Sequence, residues 1–326
     1  MEQAVISIPQ TALPGFHLPA IIEDAGQHAG RRFIEFFTAS IRNPNTRKAY
    51  AQATAQFMQW CSQAGLTLDA IQPVHAAAYI EAKQQECSTA TVKQHLAAIR
   101  ALFDYLVVGQ VIPVNPISSV RGPKEVVREG KTPVMSAEQA RQLIDAISLD
   151  TLTGLRDRAF IGVMLFTFAR VSAVTSLQVQ DYFPTGKRWS LRLKEKGGQS
   201  REIPLHHKGE EYLDAYLDAA GIRGEKKTPL FRSSGRGRSD QLTERPLLRR
   251  NAYDIIQRRT RQAGLPPELS FGNHSLRGTG ITVYLEEGGQ IETAQRIAGH
   301  ADPRTTKLYD RRHQRVQLEE IEKIRI

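Results

Sequence analysis

Through the first third of the chain, apolar residues recur at steps of three and four, the spacing of one helix face. Phe33, Phe37 and Ile41 predict a short amphipathic helix over residues 30–41. Before it, residues 1–28 carry prolines and scattered glycines without a sustained period and read as a loosely ordered arm. Asn43-Pro44-Asn45-Thr46 is a helix start signal: an asparagine side chain accepts from first-turn N–H groups, and proline has no donor to waste there. Tyr50, Ala53, Phe57 and Trp60 then carry the period to Gly65. Another helix follows Gln72-Pro73 with Val74, Ala77, Ala78 and Ile80. A third is capped by Ser88 or Thr89, and Val92, Leu96, Ile99, Phe103 and Leu106 form its apolar stripe. The prediction is a small all-helical bundle.

The period breaks over residues 111–133, where Pro113, Pro116, Gly122, Pro123 and Gly130 are interspersed with charge, the composition of a linker. Ser136-Ala137-Glu138-Gln139 resembles a capping box and opens a helix with Leu143, Ile144 and Ile147 inward. The apolar run over residues 157–177 predicts a buried helix and its turn. A hairpin follows: Trp189, Leu191 and Leu193 alternate, residues 195–199 turn, and Ile203 and Leu205 return. Helices are expected again around residues 212–220, 249–263, 274–287 and 293–298, with a short charged one over residues 316–326. The expected architecture is two-domain and mainly α. It comprises an arm and short helix (1–40), a helical domain (41–120), a linker (121–133) and a mixed α+β domain with a small β-sheet (134–326).

A chain of 326 residues can bury two cores. Its net charge of +10 calls for a polyanionic partner. The excess is uneven: residues 1–130 hold 11 Lys and Arg against 10 Asp and Glu, and the remainder holds 33 against 24. Cys61 and Cys87 are too few for a disulfide framework or a Cys-rich zinc site, and read as buried thiols of a reducing cytoplasm. No apolar run reaches membrane-spanning length. The N-terminus lacks the basic start and continuous apolar core of a signal peptide. The expected location is cytoplasmic.

The last sixty residues change the picture further. They carry His274-Ser275-Leu276-Arg277, then Ala298-Gly299-His300, then Tyr309. In-line attack on a phosphodiester needs a nucleophile, stabilisation of the non-bridging oxygens, and a proton for the leaving oxygen. Arginine suits the second task, because its planar fork matches two phosphate oxygens and stays protonated. Arg170 and Arg277 are the candidates. Arg170 follows an apolar run, Val163 to Ala169, where a charge must find an anion. Tyr309 has an ordinary pKa of about 10 and attacks poorly without neighbouring arginines and a histidine to assist it. Its stretch, Arg304 to Arg312, is polar and basic, unlike the setting of a core tyrosine. His274 and His300 suit proton acceptance and hydrogen bonding to the phosphate, and His274 shares a helix face with Arg277 one turn on. Lys196, in the turn over residues 194–199, could protonate the departing 5′ oxygen; a solvated hairpin lysine is an equal reading of that turn alone. Taken singly, each of these residues has a structural explanation. No cluster of carboxylates for two-metal chemistry accompanies them, so no metal and no cofactor is expected.

In order and spacing this set resembles the tyrosine recombinase (phage integrase) family, with a layout similar to bacterial Xer-type and transposon-borne integrases. The resemblance runs from about residue 40 to the end. It is carried by Ala169-Arg170, the Lys196 turn followed by Arg201-Glu202-Ile203-Pro204-Leu205, HSLRG at 274–278, AGH at 298–300 and TTKLY at 305–309. In the helical half it is carried by TRKAY at 46–50 and the stretch from Ser88 to Leu106. It implies a core-binding, SAM-like helical domain and a catalytic domain closing as a clamp around double-stranded DNA. Tyr309 would attack the scissile phosphate, giving a 3′-phosphotyrosine and a free 5′-hydroxyl. Arg170, Arg277, His274 and His300 would hold and activate the phosphate, with Lys196 as general acid. Four protomers would synapse two sites, exchange one strand pair, resolve a Holliday junction and exchange the second. The C-terminal helix would dock on a neighbour through Leu318, Ile321 and Ile324. Neither ATP nor metal is implied, and accessory recombination proteins are possible further partners.

One position departs from the family pattern, which places an acidic residue three positions after the first arginine to hold local geometry. Ala173 stands there. Asp181 reads as a strand or turn residue, so supporting contacts would have to come from elsewhere. Other readings cover less of the set. A type IB topoisomerase shares the chemistry, but the tail and the integrase-like first domain argue against it. A non-catalytic DNA-binding protein has no need of the tyrosine, and a metal-free ribonuclease built on His274 and His300 leaves Tyr309 without purpose.

Overall fold

Helical order begins inside the expected arm. Helix α1 (Ala20–Asp24) buries Ile21 and Ile22 in the core that also takes Phe33 and Phe37. A single turn is too short to show a period, which is why the pattern missed it. Helix α2 (Gln27–Glu35) continues into a π-helical turn, Phe36–Ser40. These and the other elements belong to a computed structural model that describes residues 18–124, 130, 132–195, 198, 200–235 and 240–311. The chain divides into two units, residues 1–126 and 127–326.

In the first unit the caps act as their residue types predict. Asn43 accepts from the N–H groups of Asn45 and Thr46 and opens α3 (Pro44–Gln63). Ser88 accepts from Thr91 N–H and opens α5 (Thr89–Val108). Between them, α4 (Pro73–Glu86) follows Gln72-Pro73, but its inward face is Ala76, Tyr79 and Ile80. Val74, expected among the apolar positions of this helix, is 62 % exposed. Tyr79 packs edge-on against Phe57 and Trp60 and hydrogen-bonds His95, so an aromatic with a polar tip won the inward position. The linker is not wholly free of the core either: Ile112, Ile117 and Val120 are buried in it. Cys61 is a core residue whose thiol burial pushes up to about 12.

The second unit opens with the capping box at Ser136. Ser136 Oγ accepts from Gln139 N–H, the Gln139 side chain accepts from Ser136 N–H, and α6 (Ala137–Asp145) follows. Helix α7 (Leu152–Thr167) is buried along nearly its whole length and ends at Phe168, which adopts the left-handed conformation. The short α8 (Val171–Thr175) leads to an antiparallel sheet of order β1-β2-β3: β1 (Tyr182–Thr185), β2 (Arg188–Lys194) and β3 (Ser200–Pro204). The hairpin was legible and β1 was not. Beyond α9 (His207–Ala220), a second unforeseen pair joins β4 (Arg232–Ser234) to β5 (Leu242–Pro246). Helices α10 (Arg249–Gln262), α11 (Asn273–Glu286), α12 (Ile291–Ala298) and α13 (Pro303–Lys307) complete the described chain. The expected tail helix with Leu318, Ile321 and Ile324 lies outside the described residues. The fold is mainly helical with small antiparallel sheets.

Candidate active site

Four separate segments of the second unit deliver the site. Phe168 turns the chain at the end of α7 (φ 51°, ψ 28°), so that Arg170 becomes the residue that caps α8. Its carbonyl accepts from Ala173 and Val174 N–H, which fixes the backbone while the side chain leaves the helix end. The Arg170 side chain is 38 % exposed rather than buried, and the anion it finds is Glu195: Nη1 donates to Oε2 at 2.7 Å.

Helix α11 supplies His274 and, one turn later, Arg277. Arg277 is only 3 % exposed and bridges two other segments. One amino group donates to the carbonyl of Phe168, and Nη2 donates to that of Ala298 at 2.8 Å. A single guanidinium therefore joins the turn before Arg170 to the turn before His300. Among the described residues two of its five N–H donors are used. Burial lowers its pKa to about 10, and the Arg170 charge acts in the same direction.

Helix α12 ends at Gly299, which takes the left-handed conformation (φ 62°) and aims the next residue inward. His300 is buried, and its Nδ1 lies 2.9 Å from Thr306 Oγ1. Its ring stacks on that of Tyr309, with centroids 6.2 Å apart and planes 11° from parallel. Burial pushes His300 down to about 4, with Arg277, Arg170 and Arg201 adding to the fall. His274 is lowered too, by burial and then by Arg277, Arg249 and Arg170. Both shifts favour the neutral imidazole, the form that keeps one acceptor nitrogen. Tyr309 follows α13, its carbonyl accepting from Thr282 Oγ1 of α11 at 3.1 Å.

Arg170, His274, Arg277, His300 and Tyr309 are brought together, as the sequence pattern requires. Lys196 lies outside the described residues. Among the described residues no group of three or more His, Cys, Asp or Glu gathers as a metal site would need. Sequence reasoning missed two members of the cluster, Glu195 and Arg201. Arg201 Nε donates to Glu195 Oε1 at 3.1 Å. A signal existed: on β3, Arg201 shares its face with the buried Ile203 two positions on.

Residues 133–315 match the phage integrase family, and residues 32–109 match the phage integrase N-terminal SAM-like domain. The chain belongs to the phage integrase family of tyrosine recombinases. It is similar to tyrosine recombinase XerD of Ralstonia nicotianae, with 27 % identity over 267 residues, covering 81 % of this chain and 83 % of that one. Against tyrosine recombinase XerC of Chlamydia muridarum the identity is 29 % over 234 residues, covering 71 % and 69 %. In fold it is similar to the XerH site-specific recombinase bound to palindromic difH substrate (TM-score 0.71, 18 % identity, 94 % and 98 % covered). It is also similar to a lambda integrase dimer bound to a COC′ core site (TM-score 0.66, 18 % identity, 89 % and 96 % covered). As a tyrosine recombinase this protein is an enzyme of site-specific DNA recombination. Among its described residues no helix is long and apolar enough to cross a membrane.

Proposed function

We propose that this recombinase cleaves and rejoins double-stranded DNA through a 3′-phosphotyrosine on Tyr309. The observation that carries the reading is the stacking of Tyr309 on His300 beside Arg277, within one cluster that also holds Arg170 and His274. In the proposed step, Tyr309 Oη attacks the scissile phosphorus while a neutral histidine takes up the phenolic proton. The bond from phosphorus to the 5′ oxygen breaks, and that oxygen receives a proton from Lys196. Arg170 and the unused donors of Arg277 hold the non-bridging oxygens as charge builds on them. A free 5′-hydroxyl from a second duplex reverses the step and joins the strands.

The phosphotyrosine keeps the energy of the broken bond, so ATP has no part to play, and the stabilising charges are side chains rather than metal ions. Two strand exchanges through a Holliday junction would require a homotetramer on two synapsed sites. The lambda integrase structures include a tetramer bound to a Holliday junction, a fold relative in support of this stoichiometry. Accessory recombination proteins would act by choosing between sites.

Incubation with a duplex nicked near the scissile phosphate tests the reading. The wild-type protein should trap a covalent complex in EDTA as well as in magnesium, and Tyr309→Phe should form none while binding the same duplex nearly as tightly. An adduct in Tyr309→Phe, or cleavage that needs added magnesium, would contradict it.

A further inference from the structure

Glu195 and Arg201 have no part in the step above, yet both are folded into the site. Glu195 follows directly on β2, and its side chain is 10 % exposed. Its two oxygens serve different partners. Oε2 accepts from Arg170 Nη1 at 2.7 Å, and Oε1 accepts from Arg201 Nε at 3.1 Å and lies 3.0 Å from Arg201 Nη2. One carboxylate is thus shared between a guanidinium at the start of α8 and another on β3. Arg201 in turn borders the turn that aims His300: a Cβ at Gly299 would lie 3.3 Å from its Nε. Among the described residues its buried Nη1 and Nη2 make no hydrogen bond, so the Glu195 carboxylate is the anchor that the structure gives it.

Ala173, where the family pattern has a carboxylate, is 2 % exposed and packed into the apolar core. We propose that Glu195 is a positioning residue for strand cleavage, holding Arg170 from the β2–β3 turn in place of a carboxylate at position 173 and tying Arg201 to the same point. The inference rests on the roles given above to Arg170 and Tyr309. Its physical basis is threefold. Arg170, Arg201 and Arg277 are three like charges within range of one another, and one shared carboxylate relieves part of their repulsion while leaving the site positive for a phosphate. Arg170 is a long, partly exposed side chain whose freedom a fixed partner removes before DNA arrives. Among the described residues only one of its amino groups is engaged, which leaves the rest of its fork to phosphate oxygens.

The test is single-turnover formation of the covalent complex on nicked duplex at saturating DNA, with duplex affinity and thermal melting measured on each variant. Glu195→Gln should slow adduct formation about 10- to 100-fold, the scale of a misplaced reacting group, and leave affinity nearly unchanged. Glu195→Asp keeps the charge and should recover part of the rate. Arg201→Ala combined with Glu195→Gln should cost less than the two single effects multiplied, because both act through one contact. A wild-type rate in Glu195→Gln overturns the proposal. So does a Glu195→Asp no faster than Glu195→Gln with rates that simply track melting, the mark of a structural acid. Should Glu195→Gln fail to fold, the Glu195→Asp and Arg201→Lys rates at wild-type affinity decide in the same way: slowing supports the proposal and wild-type rates overturn it. Tyr309→Phe run alongside separates the two failures. An adduct without Tyr309 removes the nucleophile assignment and this inference with it, whereas a Tyr309-dependent adduct at full rate in Glu195→Gln removes this inference alone.

Discussion

The ring of Tyr309 lies against the backbone of Gly278. A Cβ at that glycine would stand 2.9 Å from Tyr309 Cε1 and 2.8 Å from Val134 Cγ1, closer than van der Waals contact allows for either. Alanine would favour the interior of a helix by about 1 kcal/mol, so the glycine at this place in α11 is explained by what it leaves room for. Arg277 and Gly278 are neighbours in sequence: one gathers the turns of the site, and the other admits the ring of Tyr309.

Gly278→Ala should therefore displace Tyr309 without removing any polar group. Covalent-complex formation is expected to fall about 10- to 100-fold, with the helix itself no less stable by propensity. Adduct rates and melting temperatures of the variant check this. Undiminished cleavage would mean that the ring leaves Gly278 when the protein acts.

Buried His300 sets a pH limit on stability. His300 is depressed from 6.5 to about 4, while the unfolded chain titrates near 6.5. Above that value both states are neutral and stability is fully present. As pH falls from 6.5 towards 4 the unfolded chain takes up a proton that the native state refuses, and stability is lost, by at most about 1.4 kcal/mol per pH unit for His300. His274, His206 and His95 are lowered as well and act with the same sign. Melting of wild type and His300→Gln across this window should show a shallower loss in the variant. Parallel curves would show that His300 is not the depressed group.

Lys196 can be tested through the leaving group. Lys196→Ala should slow cleavage strongly on ordinary DNA, because an alkoxide departs poorly without a proton. A bridging 5′-sulfur leaves as thiolate and should largely rescue Lys196→Ala. It should not rescue Arg170→Ala, whose defect lies on the non-bridging oxygens. Equal defects of Lys196→Ala on both substrates would assign the proton to another group and leave this lysine to hold DNA.

A buried ion cluster ties α7 to α10 in the second unit. Asp157 is fully buried and accepts from Arg156 Nε at 2.9 Å, Arg258 Nη2 at 2.8 Å and Arg259 Nε at 2.8 Å. Asp157→Ala strands the buried Arg156 without a counter-ion and should cost about 3–5 kcal/mol in urea unfolding. A loss below about 1 kcal/mol, the worth of a surface pair, would show that the cluster is solvated in practice.

The caps at Asn43, Ser88 and Ser136, the apolar stripe of α5 and the β2–β3 hairpin were legible in the sequence because each depends on residues a few positions apart. The candidate site could be picked out for a different reason. The proposed attack on phosphate admits few side chains, and HSLR, AGH and a following tyrosine supply them in order. Weak local signals failed: α1 is one turn long, β4 has three residues, and Val74 and Tyr79 compete for the inward face of α4 on packing rather than period.

What only the tertiary structure decided is which charged groups meet. Arg170 and Glu195 are 25 positions apart, and Arg277 reaches Phe168 across 109. No local rule sets such distances. They follow from how α7, α11 and the β2–β3 hairpin pack, and packing is settled by the whole core at once. For the same reason Ala173 reads in sequence as a missing carboxylate, while in the fold the carboxylate that meets Arg170 arrives from the end of β2.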